Sequence, residues 1–137
     1  GQWIYYYENG ELDEIGSYLS GLKHELWGRF HKNGKLKQEE NYSYGKLMNV
    51  TDFYLIDGGI IENKTFQNGN GELMDYYDNG NIFSISSYKN GILDGKYEEY
   101  HTNGKIAIRG KYSSSNKKGE WLEFSKRGIL KKRIKND

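Results

Sequence analysis

The chain has 137 residues, with 20 Lys and Arg against 19 Asp and Glu, and it is rich in Gly (18), Tyr (13), Phe (five) and Trp (three). It has no Cys and no Pro, and the missing cysteine excludes disulfides, a thiolate nucleophile and a cysteine-based zinc site. No apolar run approaches the roughly 18 residues of a membrane-spanning helix, and the Tyr and Gly content favours strands and tight turns.

A glycine recurs along the chain at intervals of 24 residues, with one interval of 22. These turn glycines are Gly10, Gly34, Gly58, Gly80, Gly104 and Gly128. Each has an aromatic residue four positions before it and Leu or Ile two positions after it. A fixed period of this kind predicts a repeat architecture. We expect an all-β fold, an elongated, twisted antiparallel meander of about six open-ended β-hairpin repeats that form a single domain over residues 1–137.

The residue before the last turn glycine indicates the type of turn. Arg127 stands before Gly128, whereas the other copies have Asn or Asp there. A two-residue type I′ turn needs positive φ at both central positions, which arginine tolerates poorly. A three-residue loop needs positive φ only at the glycine. This loop places the aromatic directly opposite the aliphatic residue, so we predict one aromatic–aliphatic stripe on one face of the sheet.

A second aromatic, Trp3, Trp27 or Trp121, precedes three of the turn glycines by seven residues. It lies three residues from the aromatic of the stripe, and ideal strand alternation sends two such residues to opposite faces. A bulge, strong coiling or partial cover of both faces would each accommodate this offset. We expect a bulge that brings both aromatics into one core.

The pattern Gly-x-Trp-x-x-Tyr-x-x-Asn-Gly-x-Leu at residues 1–12, matched again at 95–106, resembles the MORN repeat. More narrowly, it is similar to the bacterial YwqK-type variant, whose members are regarded as antitoxin components. The second and third copies depart from the pattern, with Glu25 and Asn49 for the opening glycine and Thr51 for Trp. The resemblance implies an elongated sheet of hairpins, a role in binding and no catalytic residues.

The histidines and acids do not form a recognisable catalytic or metal-binding pattern. His31 and His101 hold equivalent positions in the second and fifth copies, so they should lie far apart, and His24 falls in a turn. Adjacent acids such as Glu39 and Glu40 point to opposite faces of a strand and cannot act as a general acid and base pair. We therefore expect no enzyme activity, no cofactor and no metal.

Positions that face away from the predicted stripe are mostly polar, but in the third and fourth copies they are apolar. The resulting candidates for partner binding are Phe53, Leu55, Ile61, Tyr77 and Phe83. An apolar patch on a polar face is typical of a protein interface. The alternative is that the chain itself covers these residues, or that they are ordinary half-exposed strand residues.

Charge is distributed unevenly along the chain. Residues 1–68 carry seven Lys or Arg and ten Asp or Glu, whereas residues 69–137 carry thirteen and nine. The candidates for binding an anionic partner are Lys126, Arg127, Lys131, Lys132, Arg133 and Lys135. A basic cluster can bind anionic lipid, and the alternative is a solvated last repeat that keeps the protein soluble.

The sequence predicts a non-catalytic protein–protein interaction module, antitoxin-like or immunity-like in a bacterium. The alternatives are binding of anionic lipid at a membrane surface through the basic last copy, and a structural role in the cell envelope. Nucleic acid is not an expected partner, because the aromatics belong to the fold and not to a basic groove. Self-association through the unprotected strand at residues 3–7 stays open. The cytoplasm is favoured, and a secreted or envelope-associated location stays open because the chain begins without methionine.

Overall fold

The computed structural model describes all residues from Gly1 to Asp137 and contains 14 β-strands and no helix. The chain divides into two compact units, Gly1–Gly69 and Asn70–Asp137. The structure therefore contains no helix that could span a membrane. That residues 1–137 act as a single domain stays a prediction.

The first unit contains a five-stranded antiparallel sheet and a short hairpin. Its strands are β1 (Gln2–Tyr6), β2 (Leu12–Leu19), β3 (Leu22–Phe30), β4 (Leu36–Ser43), β5 (Lys46–Val50), β6 (Phe53–Tyr54), β7 (Ile60–Ile61) and β8 (Phe66–Gln67). Strands β1 to β5 pair in chain order, and β6 pairs with β7. Strand β8 lies against β5, where the Gly69 N–H donates to the Met48 carbonyl at 2.7 Å.

The second unit is an antiparallel sheet whose strands also follow one another in chain order. They are β9 (Asn70–Tyr76), β10 (Ile82–Lys89), β11 (Ile92–Tyr100), β12 (Ile106–Ser113), β13 (Asn116–Phe124) and β14 (Leu130–Asn136). The predicted all-β fold of antiparallel hairpins in open sheets is therefore confirmed.

The hairpin loops have the predicted three-residue geometry. In the first, the Gly10 N–H donates to the Tyr7 carbonyl at 3.0 Å, the Tyr7 N–H donates to Glu11, and Gly10 has a φ of 87°. The aromatic and aliphatic residues around each loop are paired in all six copies. The pairs are Tyr6–Leu12, Phe30–Leu36, Tyr54–Ile60, Tyr76–Ile82, Tyr100–Ile106 and Phe124–Leu130.

The expected bulge exists, but it does not bring the two aromatics of a strand together. The register between β2 and β3 shifts near Glu25, which has a φ of 62° and precedes Trp27. A Cβ on Gly16 would lie 2.0 Å from the Trp27 ring, whereas one on Gly28 would lie 3.1 Å from the Phe30 ring. Gly28 pairs with Ile15, the neighbour of Gly16 on β2, so Gly16 and Gly28 lie on opposite faces of the sheet. Trp27 therefore covers one face and Phe30 the other. The expectation of one shared core is wrong, because Trp27 and Phe30 still lie on opposite faces although the register with β4 also shifts between Arg29 and Phe30.

The deepest apolar side chains do not belong to the predicted stripe. They are Trp27, Leu47, Phe53, Phe66 and Trp121. By contrast, Tyr6 of the stripe is 63% exposed. The glycines under the indoles explain the difference, because a position without a Cβ lets a large ring lie directly on the sheet. The stripe is a row of cross-strand pairs, and the tryptophan face carries the best-buried rings.

Candidate functional site

The Trp27 cluster is an aromatic and charged group on the sheet of the first unit, formed by Gly16, Tyr18, Lys23 and Trp27. The indole lies over Gly16, its N–H donates to the Ser17 carbonyl at 3.0 Å, and the Tyr18 ring packs edge-on against it with centroids 5.1 Å apart. The Lys23 ammonium lies 4.5 Å from the indole centroid. Trp27 is fully buried, so this cluster holds two neighbouring repeats together.

Charged side chains and a further aromatic ring surround Trp27. Tyr5 stacks beside the indole with centroids 6.4 Å apart, and Lys23 forms a 3.5 Å salt bridge with Glu14. Glu40 is buried opposite Trp27. Burial raises the pKa of the Glu40 carboxyl, although the nearby Arg29 and Lys23 charges partly offset this shift.

The Trp121 cluster in the second unit repeats the same plan with Gly110, Tyr112, Lys117 and Trp121. A Cβ on Gly110 would lie 2.2 Å from the indole, whose N–H donates to the Lys111 carbonyl at 3.2 Å. Tyr112 packs edge-on at 5.0 Å, and the Lys117 ammonium lies 4.7 Å from the indole centroid. The two clusters are therefore the same packing unit used twice.

A cavity of about 110 Å³ lies beside the indole of Trp121. Its polar and aromatic lining comes from Tyr97, Glu99, Tyr112, Lys117, Trp121 and Glu123, and Ile108 and Ile134 complete the walls. The Tyr97 hydroxyl donates to the Glu99 carboxylate at 2.5 Å. Burial, that hydrogen bond and the carboxylate charge raise the pKa of Tyr97, so its phenol is neutral at physiological pH.

A second depression, in the first unit, is a shallow open groove of about 410 Å³. It is lined by Gly1, Trp3, Tyr5, Tyr18, Ser20 and Gly21. The Tyr5 and Tyr18 hydroxyls lie 3.1 Å apart. The groove contains aromatic rings but no charged side chain, in contrast to the cavity beside Trp121.

Two of the three histidines join neighbouring repeats by hydrogen bonds to backbone carbonyls. The His31 Nε2 lies 2.6 Å from the Tyr54 oxygen, and the His101 Nε2 lies 2.8 Å from the Phe124 oxygen. His24 accepts a hydrogen bond from the Tyr44 N–H at its Nδ1 and packs against the Tyr44 ring. No three histidine or acidic side chains lie close enough together to hold a metal ion.

The tyrosines at the same repeat position as His31 and His101 form the same kind of bond. The Tyr7 hydroxyl donates to the Phe30 carbonyl at 2.5 Å, and the Tyr77 hydroxyl donates to the Tyr100 carbonyl at 2.6 Å. Leu55 holds this position in the third copy and has no polar group to donate. This column of side chains therefore has a structural role between repeats.

Of the predicted partner-binding residues in the first unit, Phe53 is not available to a partner. Its side chain is only 2% exposed and its ring centroid lies 6.2 Å from that of His31. The prediction that Phe53 lies on a free face is therefore wrong. The physical reason is that the face opposite the predicted stripe is the better-buried one here. Ile61, which pairs with Phe53, and Leu55 are half-buried.

The predicted residues of the second unit, Tyr77 and Phe83, contact each other. Their rings pack edge-on with centroids 5.2 Å apart, and both are half-buried. The Tyr77 hydroxyl is already used in the bond to Tyr100. Phe83 follows Ile82 at a bulge in β10 that ideal alternation does not anticipate. A role of these two residues in partner binding stays a prediction.

The predicted basic residues near the end of the chain are all exposed: Lys126, Arg127, Lys131, Lys132, Arg133 and Lys135. Arg133 forms a 3.4 Å salt bridge with Glu120. Two apolar neighbours, Ile129 and Leu130, are also exposed. This region therefore combines exposed cations with exposed apolar side chains.

Sequence reasoning missed an apolar group at the turns between repeats of the first unit. We call it the turn-edge patch: Leu19, Leu22, Leu26 and Tyr44, all exposed. Leu19 and Leu22 are cross-strand partners, and a Cβ on Gly45, the residue after Tyr44, would lie 3.3 Å from Leu22. The sequence does contain a signal for this patch, because the turns that correspond to the one at Tyr44 have Ser or Asn in its place, at residues 20, 68, 90 and 114.

These features define a class of protein: an all-β repeat protein whose hairpins are joined by recurring indole, tyrosine and histidine contacts. The family model for the MORN repeat variant matches residues 1–19, 28–44, 69–90 and 93–113, more than half of the chain. The chain therefore belongs to the MORN repeat variant family. The loops at Gly58 and Gly128 fall outside the matched segments. No curated protein sequence matches the chain significantly. MORN repeats are generally associated with binding of proteins or membranes.

Proposed function

We propose that this chain is a non-catalytic protein-binding module and that another protein docks on the turn-edge patch of its first unit. The observation that carries the proposal is the exposure of four large apolar side chains: Leu19, Leu22 and Tyr44 at two turns, and Leu26 within β3. Leu26 is 56% exposed and Tyr44 is 58% exposed. Exposed apolar groups that adjoin one another are typical of interaction sites.

The backbone at Tyr44 supports a role outside the fold. Tyr44 has a φ of 48°, in the left-handed region that a bulky side chain rarely adopts. Such a conformation costs on the order of 1–3 kcal/mol. Ser20, Asn68, Asn90 and Ser114 hold the same turn position with similar φ values. A tyrosine here costs stability although more than half of its side chain stays exposed beside His24, which is understandable if a partner contacts the ring.

The charge of the first unit favours a partner with basic residues around an apolar centre. Residues 1–68 carry ten Asp or Glu against seven Lys or Arg. Next to the patch, Glu25 and Lys46 are both exposed, so the acidic excess is a property of the whole unit. Complementary charge at the rim speeds association and selects partners, whereas the apolar centre supplies most of the affinity.

The resemblance to YwqK-type proteins supports a narrower version of the proposal, in which the chain is an antitoxin-like or immunity-like protein and its partner is a bacterial toxin. This version predicts that the partner inhibits growth when it is expressed alone. It also predicts that co-expression of the wild-type chain restores growth, and that a chain with a disrupted patch does not. Restoration by both chains would contradict docking on the patch.

The direct experiment places a photo-crosslinking amino acid at position 44 and identifies the protein attached to it in cells. The purified partner is then titrated with wild type, L22S, Y44S and I129S. We expect L22S and Y44S to weaken binding at least about tenfold, the loss typical of interface hot spots. The variant I129S is the matched control, because Ile129 is as exposed as Tyr44 but lies in the second unit. Equal affinity of all four proteins would reject the patch.

A second candidate function is binding of anionic lipid through the basic last repeat. It is favoured by the exposed cations of β14 together with exposed Ile129 and Leu130. Such a surface gains roughly 1 kcal/mol per Lys or Arg near an anionic membrane. Flotation with vesicles containing phosphatidylserine tests it. Flotation that disappears in K131E/K132E and in high salt would support lipid binding, and no flotation of the wild type would reject it.

A further inference from the structure

The cavity beside Trp121 is the feature of this fold best suited to a small ligand. Its walls combine the rings of Tyr97, Tyr112 and Trp121 with the carboxylates of Glu99 and Glu123. Among the lining residues Trp121 is buried, whereas Lys117 and Ile134 are exposed, so the cavity can be reached from solvent. A mixed aromatic and acidic lining of this kind favours a cation.

Charge in the cavity is unbalanced. Neither Glu99 nor Glu123 forms an ion pair, and Glu99 has only the neutral Tyr97 hydroxyl as a partner. The sole cation is the Lys117 ammonium over the Trp121 ring. Two carboxylates against one ammonium leave a net charge of −1 around the cavity. Lys117 is exposed and has a flexible side chain, so its ammonium can turn toward solvent when another cation enters.

We propose that this cavity binds a small quaternary ammonium group, such as the trimethylammonium of choline. Aromatic faces attract such a cation without a need for hydrogen bonds, and carboxylates supply the opposite charge. The volume of about 110 Å³ is well above the ~10–15 Å³ that a single water requires on the same measure and below the ~150 Å³ of a cavity that holds benzene. A methylated ammonium head therefore suits this cavity better than a bare ammonium or a metal ion.

The first unit shows why the site occurs only in the second. The position of Glu99 is occupied there by Tyr5, whose ring stacks beside Trp27. The position of Ile108 is occupied by Glu14, which holds the Lys23 ammonium in a salt bridge. The first unit thus fills the corresponding space with a ring and supplies its own cation. The second unit has a smaller carboxylate, Glu99, which accepts a hydrogen bond from Tyr97 but forms no ion pair.

The experiment follows the indole N–H signals of the three tryptophans by NMR while tetramethylammonium chloride or choline chloride is added to the full chain. Titration to about 100 mM detects dissociation constants in the millimolar range. Variants W3F and W27F assign the signals. We expect a saturable shift of the Trp121 signal and no saturable shift of the Trp27 signal. Sodium chloride at the same concentrations is the control for ionic strength. An equal response to sodium, or none at all, would overturn the proposal.

Four variants test the assignment to these residues. E99Q and E123Q should each weaken binding roughly tenfold through loss of a charge, and E99Y should abolish it because the ring fills the cavity. E98Q is the matched control, since Glu98 is the neighbour of Glu99 on the other face of β11 and is absent from the lining. K117Q should strengthen binding, roughly threefold, by removing the competing ammonium. Equal effects of E98Q and E99Q, or weaker binding by K117Q, would overturn the proposal.

The source of the ammonium group is distinguished with phosphatidylcholine vesicles. Binding to the vesicles that free choline competes away would identify a lipid headgroup, and binding of choline by a chain that does not bind the vesicles would identify a free small molecule. Both results support the cavity as the site. L22S and Y44S should leave the choline affinity unchanged, so failure of the docking proposal and failure of this one are separate results.

Discussion

The Trp27 cluster and the Trp121 cluster have the same centre and different surroundings. In each, an indole lies on a glycine, under a lysine ammonium and beside a tyrosine edge. Around Trp27 the remaining space is closed by the Tyr5 ring and the Glu14–Lys23 pair. Around Trp121 a cavity of about 110 Å³ remains. Positions that are the same in both clusters stabilise the repeat, and positions that differ determine what each unit can bind.

The largest expected effect comes from removal of the indoles. Trp27→Ala should lower the free energy of unfolding by about 5 kcal/mol and Trp121→Ala by about 3 kcal/mol, the two ends of the range for large aromatic truncations. Trp27 is fully enclosed, whereas Trp121 already borders a cavity and loses fewer contacts. Urea unfolding followed by circular dichroism measures both. A larger loss for Trp121→Ala would contradict the view that the second cluster is the more open one.

The glycines under the indoles should give the next largest effect. A Cβ at position 16 or 110 would lie 2.0 or 2.2 Å from the indole, so Gly16→Ala and Gly110→Ala must push the ring off the sheet. Overpacking of this kind costs about 1–3 kcal/mol. In a Trp27→Ala background the Gly16→Ala change should cost much less, because no ring is left to displace. Strictly additive losses would show that the glycine is required for another reason.

The hairpin pairing was predictable from the sequence because it depends on local geometry. Arg127 before Gly128 selected the three-residue loop, and this loop fixes the cross-strand partner of each aromatic. The buried face was not predictable in the same way. It depends on which positions lack a Cβ under a neighbouring strand, as at Gly16 under Trp27. That relation joins residues eleven apart in the chain but becomes visible only when the bulge at Glu25 is known.

The candidate site was predicted only in part for the same reason. Phe53 was placed on a free face by simple alternation, but that face is buried around His31. The turn-edge patch could have been found by asking which residue is unusual at its repeat position, since Tyr44 replaces Ser or Asn there. The cavity beside Trp121 could not, because it arises from the volume that Glu99 leaves where Tyr5 stands in the first unit.

A smaller effect is expected from the hydroxyls that join neighbouring repeats in each unit. Tyr7→Phe and Tyr77→Phe each remove a donor to a backbone carbonyl, at 2.5 and 2.6 Å. Each should cost about 1 kcal/mol, the net value of a typical hydrogen bond. Tyr6→Phe is the control, because the largely exposed Tyr6 side chain forms no such bond. Losses as small as that of the control would show that packing of the rings, and not the hydroxyls, joins the repeats.

The smallest effect concerns Glu40, which faces Trp27, whereas Ile134 holds the equivalent position near Trp121. Burial raises the pKa of Glu40 above the ordinary glutamate value of 4.5. The folded state therefore binds this proton more tightly than the unfolded state. The resulting stability is fully present below the unfolded pKa and is lost as the pH rises through the folded pKa.

Replacement by glutamine tests this pH dependence directly. Glu40→Gln keeps the size of the side chain and removes its titration, so it should stabilise the protein at pH 7, by about 1 kcal/mol or less. Near pH 4, where the wild-type carboxyl is largely protonated, the two proteins should be nearly equal in stability. Urea midpoints measured across this pH range check the expectation. A variant less stable than wild type at pH 7 would mean that the ionised Glu40 is stabilised by Arg29 and Lys23 more than burial destabilises it.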